Sequence, residues 1–249
     1  MTQASRAIDT TLKPKERIIV ALDVPDAERA RSIVSELKDS VGAFKVGLQL
    51  FTASGPEFVR ELVDSGAKVF LDLKFHDIPN TVAKAAVEAA RLGVWMFNIH
   101  ASGGNEMMRR TAEEVRERCE REGLTVPKII AVTVLTSSDG NALTEVGIEM
   151  PVDEQVVRLA ELAERSGLDG VVASAKEVAD IRSAVVDPNF LIVTPGIRPM
   201  DATNDDQKRV MTFGRAIAAG SDYAVIGRPI TQAIDMSAAV AALVAEIEN

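Results

Sequence analysis

Short apolar runs alternate with amphipathic stretches along almost the whole chain. The runs, at 18–22, 43–47, 69–73, 96–100, 129–134, 170–173, 191–194 and 224–226, have the length of buried strands. The stretches that follow them, 27–38, 56–64, 81–91, 104–121, 153–166, 176–185, 213–219 and 230–247, read as helices. In 153–166, Val156, Val157, Leu159, Ala160, Leu162 and Ala163 recur at helical spacing and give one face to bury. Gly66, Gly93, Gly123, Gly167 and Gly220 fall just past helix ends, where a left-handed cap costs glycine least. A strand followed by a helix, eight times over, predicts the α/β class and a (β/α)8 TIM barrel. The alternative is an open doubly wound sheet, but no Gly-x-Gly-x-x-Gly follows the first strand. No linker-like stretch or composition break divides the chain. A single domain is expected over 17–249, with a flexible N-terminal extension over 1–16.

The third run carries charge inside an apolar strand. Side chains alternate along a strand, so Asp72 and Lys74 face one way while Leu71, Leu73 and Phe75 face the other. Asp77 follows in the turn, before Pro79 and Asn80 open the next helix. Two carboxylates bracketing one ammonium are expensive to bury. The arrangement makes sense if the lysine must stay protonated and act as an acid. An exposed salt-bridge cluster would sit on a helix surface instead.

Composition narrows the function. Of 249 residues, 47% are hydrophobic, enough for a full core. No apolar run reaches the roughly 20 residues that span a bilayer. The polar N-terminus has no apolar stretch of the kind a signal peptide needs, so a cytoplasmic protein is expected. The single cysteine, Cys119, leaves no disulfide or cysteine-based metal site within one chain. A net charge of −9 argues against a nucleic-acid surface and permits a small anion held by a few local cations.

Polar groups gather where the predicted strands end. Barrel active sites lie at the C-terminal rim. There the chain places Asp23, Lys45, Asp72 and Lys74, then Asn98, His100, Thr133, Thr136, Ser137, Arg198 and Arg228. The N-terminal ends show no such row. After the last strand, Gly227-Arg228-Pro229 precedes a helix, a combination suited to phosphate in the place where barrels often bind it. The loop 195–207 is long and polar, which suits a lid. His100 is expected to make a hydrogen bond in the rim, and His76 to be a supporting residue. Asp23, Asp72 and Asp77 could ligate a metal by type, but Lys45 and Lys74 are interleaved with them and would repel a divalent cation.

Taken together, these motifs resemble the orotidine 5′-monophosphate decarboxylase family in its bacterial form. They are Ala21-Leu22-Asp23, Phe44-Lys45-Val46-Gly47, the stretch from Asp72-Leu73-Lys74 through Asp77 to Thr81, Val134-Leu135-Thr136-Ser137, Thr194-Pro195-Gly196-Ile197-Arg198-Pro199 and Ile226-Gly227-Arg228-Pro229-Ile230. The likeness runs in order over about 17–231. It implies decarboxylation to uridine 5′-monophosphate without metal or organic cofactor. By the same likeness Lys45, Asp72 and Lys74 line the site, Lys74 delivers the proton, and Asp23 and Lys45 hold the ribose and the charge network. Thr136 and Ser137 meet the pyrimidine beside Pro195. Gln207, Gly227 and Arg228 bind the phosphate, with Arg198 in the same lid loop. Asp77 and Thr81 reach across a homodimer interface into the partner's site. The physics fits: loss of carbon dioxide leaves a carbanion in the ring plane that the π-system cannot delocalise. A fixed ammonium must stabilise and then protonate it.

Two rivals remain on sequence alone. One is a magnesium-dependent relative, a 3-keto-gulonate 6-phosphate decarboxylase or hexulose phosphate synthase. Those enzymes resemble this chain at Asp-x-Lys-x-x-Asp but carry an acidic ligand where it has Lys45. The other is a non-catalytic barrel that binds a sugar phosphate, which would not need the Asp72–Lys74–Asp77 cluster.

Overall fold

Eight parallel strands close on themselves in chain order: β1 (Ile18–Ala21), β2 (Ala43–Gly47), β3 (Val69–Phe75), β4 (Met96–His100), β5 (Lys128–Val132), β6 (Gly170–Val172), β7 (Leu191–Pro195) and β8 (Tyr223–Ile226). The computed structural model describes residues 12–198 and 211–248. Around the barrel run α1 (Ala27–Leu37), α2 (Leu48–Asp64), α3 (Pro79–Arg91), α4 (Gly104–Glu122), α5 (Gly140–Glu145), α6 (Val152–Arg165), α7 (Val178–Ala184), α8 (Phe213–Ala218), α9 (Arg228–Thr231) and α10 (Met236–Glu248). The expected (β/α)8 architecture is therefore observed.

Strand parity divides the core in two. Ile18, Val20, Phe44, Val46, Val69, Leu71, Phe97 and Ile99 face outward and pack under the helices. Ile19, Ala43, Phe70, Met96, Ile130, Val193 and Val225 face inward and fill the barrel. Both faces are covered, which is why the runs are apolar throughout rather than alternating. Two residues beyond that inner floor, the same parity places Lys45 on β2, Asp72 on β3 and Asn98 on β4. An apolar floor thus supports a polar layer at one mouth.

A short turn packs against the base of the barrel ahead of β1. Pro14–Arg17 forms a 3-10 turn, and the buried Arg17 guanidinium donates to the Asp222 carbonyl at 3.2 Å. A Cβ on Gly42 would stand 1.9 Å from the Glu16 carbonyl oxygen, so that turn lies directly against the barrel. Of the expected extension, residues 1–11 lie outside the described residues.

Helix boundaries depart from the periodicity in several places. α2 begins at Leu48 and kinks at Gly55, whose φ of 72° breaks the helix just before Pro56. α3 begins at Pro79, since proline suits a first turn that has no N–H partner. α5 falls in what reads as loop; the Asp139 carboxylate caps it by accepting from the Ala142 N–H at 3.1 Å. The stretch 230–247 is not one helix. Asp235 accepts from the Ala238 N–H at 2.8 Å and so starts α10 afresh, separate from the four-residue α9.

Candidate active site

At the C-terminal mouth a cavity of about 550 Å³ opens, within the ~300–1,000 Å³ of small-molecule sites. Its walls include Asp23, Lys45, Asp72, Lys74, Thr136, Pro195, Arg198, Gly227 and Arg228. These come from strands far apart in sequence, and the barrel alone brings them together. Thr133 and Thr194 are buried and lie outside that lining. The Thr133 hydroxyl donates to the Val172 carbonyl at 2.8 Å, and Thr194 accepts from the Ser221 hydroxyl at 2.8 Å.

The charges form an alternating row. Lys45 Nζ lies 2.9 Å from Asp23 Oδ1 and 3.4 Å from Asp72 Oδ2. Lys74 Nζ lies 2.6 Å from Asp72 Oδ1. Side-chain exposure is 10% for Lys45 and 13% for Asp72, against 60% for Asp23, so the row runs from a wet end into the floor. Burial opposes the ammonium of Lys45, but the carboxylates of Asp72 and Asp23 outweigh it and raise its pKa above the ordinary lysine value. Burial would likewise raise Asp72. Lys45, Lys74 and the hydrogen bond from Asn98 overcome it and hold the carboxylate below its ordinary range. Both groups are therefore ionised at neutral pH. Gly47 keeps room for the row: a Cβ there would stand 3.0 Å from Lys45 Nζ and 3.3 Å from Asp23 Oδ1.

Within one chain Asp72 is bracketed by Lys45 and Lys74, while the resemblance expects Asp77 to reach Lys74 across a homodimer interface. Asp77 is exposed and its carboxylate accepts from the Ile78 N–H at 2.6 Å, outside the cavity lining. Thr81 and Ser137 are also exposed and outside that lining. Gln207 lies outside the described residues, as does most of the expected lid. The lid's base is held where Ile197 pairs with Met211 and the Arg198 N–H donates to the Met211 carbonyl at 3.1 Å.

Lys74 adopts φ 53°, a left-handed conformation that costs a non-glycine residue about 1–3 kcal/mol. Simple strand alternation gave no warning of it. The partner that sequence reading passed over is Asn98, named only as one more polar rim residue. It is 1% exposed, accepts from the Lys74 N–H at 2.8 Å and donates to Asp72 Oδ1 at 2.7 Å. His100 is held not by the expected hydrogen bond but by its ring packing on His76, centroids 5.4 Å apart. Burial, then His76 and Lys74, push the His100 pKa down.

Among the described residues no group of three or more His, Cys, Asp or Glu is placed to hold a metal ion. The donor chemistry agrees, because Asp23 and both Asp72 oxygens face ammonium groups.

The chain is similar to known proteins over nearly its full length. The profile of the orotidine 5′-phosphate decarboxylase / HUMPS family matches residues 16–243. An orotidine 5′-phosphate decarboxylase of Geobacter sulfurreducens is 55% identical over 233 residues, 94% of this chain and 96% of that protein. One from Moorella thermoacetica is 55% identical over 235 residues, 94% of this chain and 93% of that one. Among solved structures, the orotidine 5′-phosphate decarboxylase of Lactobacillus acidophilus superposes with a TM-score of 0.81 at 40% identity, covering 93% of this chain and 99% of that one.

Proposed function

The chain belongs to the orotidine 5′-phosphate decarboxylase / HUMPS family, and from that we propose that it is an orotidine 5′-phosphate decarboxylase. It releases carbon dioxide from orotidine 5′-monophosphate and leaves uridine 5′-monophosphate, a step of pyrimidine biosynthesis. The observation that carries this reading is the Asp23–Lys45–Asp72–Lys74 row at the cavity floor. Lys45 stands where the magnesium-dependent relatives carry an acidic ligand, which favours the cofactor-free reaction. A passive sugar-phosphate binder would have no use for an ammonium held beside a buried carboxylate.

In the proposed reaction the bond between the ring carbon and its carboxylate breaks and the electron pair stays on the ring carbon. Lys74 faces that pair as a preformed cation and then transfers one Nζ proton to it. Asp72 orients Lys74 through a direct ion pair, and Lys45 and Asp23 hold the ribose hydroxyls. Thr136 and Ser137, beside Pro195, meet the pyrimidine. Arg228, Gly227, Arg198 and Gln207 take the phosphate, whose binding energy can close the loop over the substrate. The barrel, with Pro14–Arg17 at its base, is the single catalytic unit, and the setting is cytoplasmic. Among the described residues no helix is long and apolar enough to cross a membrane.

Asp77 and Thr81 belong, in this reading, to the site of a second copy. Their exposure supports it, as does Ile78, 67% exposed between them at the rim. The alanines of α3 do not. Val82, Ala86, Val87, Ala89 and Ala90 are buried within one chain, where α3 packs on α4. The test of the activity is loss of substrate absorbance with orotidine 5′-monophosphate in EDTA. Turnover is expected. Activity only after magnesium is restored would favour the metal-dependent relative, and binding without turnover the passive barrel.

A further inference from the structure

β3 does not pair evenly with β4. The register passes from Leu71↔Phe97 to Phe75↔Ile99, so four steps along β3 span two along β4. Lys74 sits inside that bulge, and among the described residues it is the non-glycine residue with positive φ. A bulge takes a backbone N–H off the ladder, and a buried N–H must find another acceptor. Here the acceptor is the Asn98 side chain, two residues above Met96 on the inward face of β4. Its Oδ1 accepts from the Lys74 N–H at 2.8 Å while its Nδ2 donates to Asp72 Oδ1 at 2.7 Å. Asp72 Oδ1 in turn accepts from Lys74 Nζ at 2.6 Å. The loop of contacts is closed: backbone of Lys74, amide of Asn98, carboxylate of Asp72, ammonium of Lys74.

We propose that Asn98 is a positioning residue for the decarboxylation, clamping the bulged backbone of Lys74 and the carboxylate of Asp72 so that the ammonium faces the cavity. It does not line the cavity itself, so it acts through those two residues. A short carboxamide meets the requirement, because the position needs an acceptor toward the N–H and a donor toward the carboxylate on one planar group. Turning the amide over would set Nδ2 against an N–H and Oδ1 against a carboxylate, so the partners fix its orientation. An aspartate would keep the acceptor but face Asp72 with a second negative charge. An alanine would lose both contacts and release the left-handed turn.

The inference rests on the decarboxylase reading, and its test uses N98A and N98D with a readout that needs no substrate. Hydrogen exchange at the Lys74 amide should speed up in N98A and stay slow in N98D, which keeps the acceptor. Both variants should lose about 10²-fold in kcat, the scale of a 1 Å misplacement of a reacting group. Their Kd for uridine 5′-monophosphate should change little, because the phosphate grip is untouched. Unchanged Lys74 exchange in N98A would overturn the clamp, as would kcat near wild type in both variants. Parallel collapse of Tm and nucleotide affinity in both would make Asn98 a folding residue and overturn it equally. The expected exchange pattern in a wild-type protein without turnover would support the clamp and overturn the reaction assigned to it.

Discussion

In the proposed reaction Lys74 carries the chemistry in one ammonium. It is 29% exposed, 2.6 Å from Asp72, and set in a backbone conformation that lysine adopts only under constraint. Lys74→Ala should leave a folded protein by circular dichroism and abolish measurable decarboxylation. General acid catalysis contributes about 10²–10⁴-fold, and stabilisation of the carbanion adds to it. Near-normal turnover by the folded variant would end the assignment. Arg228 lines the cavity at the first residue of α9 and is the proposed phosphate ligand. Arg228→Ala should cut kcat/KM by orders of magnitude for the nucleotide, since each charge-assisted bond contributes about 1.5–3 kcal/mol. A truncated substrate without phosphate should lose little. Equal losses for both substrates would tie Arg228 to the fold or the chemistry instead.

Strands decide more of this site than helices do. The two-residue spacing from Ala43 to Lys45, Phe70 to Asp72 and Met96 to Asn98 lifts each polar group one layer above the apolar floor. That layering requires close strand spacing, and Gly170 on β6 lies directly against Leu191 on β7. A Cβ there would stand 2.3 Å from the Leu191 carbonyl oxygen and 2.7 Å from the Leu191 Cβ. Gly170→Ala should therefore destabilise by about 1–3 kcal/mol through overpacking. At about 2–4 °C per kcal/mol for a chain of this size, thermal unfolding would read it directly. An unchanged Tm would mean that β6 and β7 can part without cost.

At the scale of the whole molecule, two of the expected site residues stand apart from the cavity. Asp77 and Thr81 sit at the rim, exposed and outside the cavity lining. If a second copy supplies them, an isologous dimer holds two composite sites. Mixing inactive Asp77→Ala with inactive Lys74→Ala should then restore activity, because in the mixed dimer one site carries both lesions and the other neither. Exchange of subunits, verified by mass, with no return of activity would assign Asp77 to its own chain.

Periodicity determined the alternation of buried strands and outer helices, because a strand buried on both faces must be apolar throughout and an outer helix must show one apolar face, and the eightfold count favoured a barrel whose closure the structure decided. It also determined the rim: Lys45, Asp72, Lys74, Arg198 and Arg228 all line the cavity. What it did not decide was who pairs with whom. Alternation treats β3 as straight and carries no sign of the bulge against β4, which sets Lys74 at positive φ beside Asp72. Helix spacing took 230–247 as continuous, because the Asp235 cap that divides it is a local hydrogen bond with no period. Asn98 reads as one polar residue among several until β3 and β4 are laid side by side. Its role depends on a register between residues 24 and 26 positions apart, and only the closed sheet sets that register.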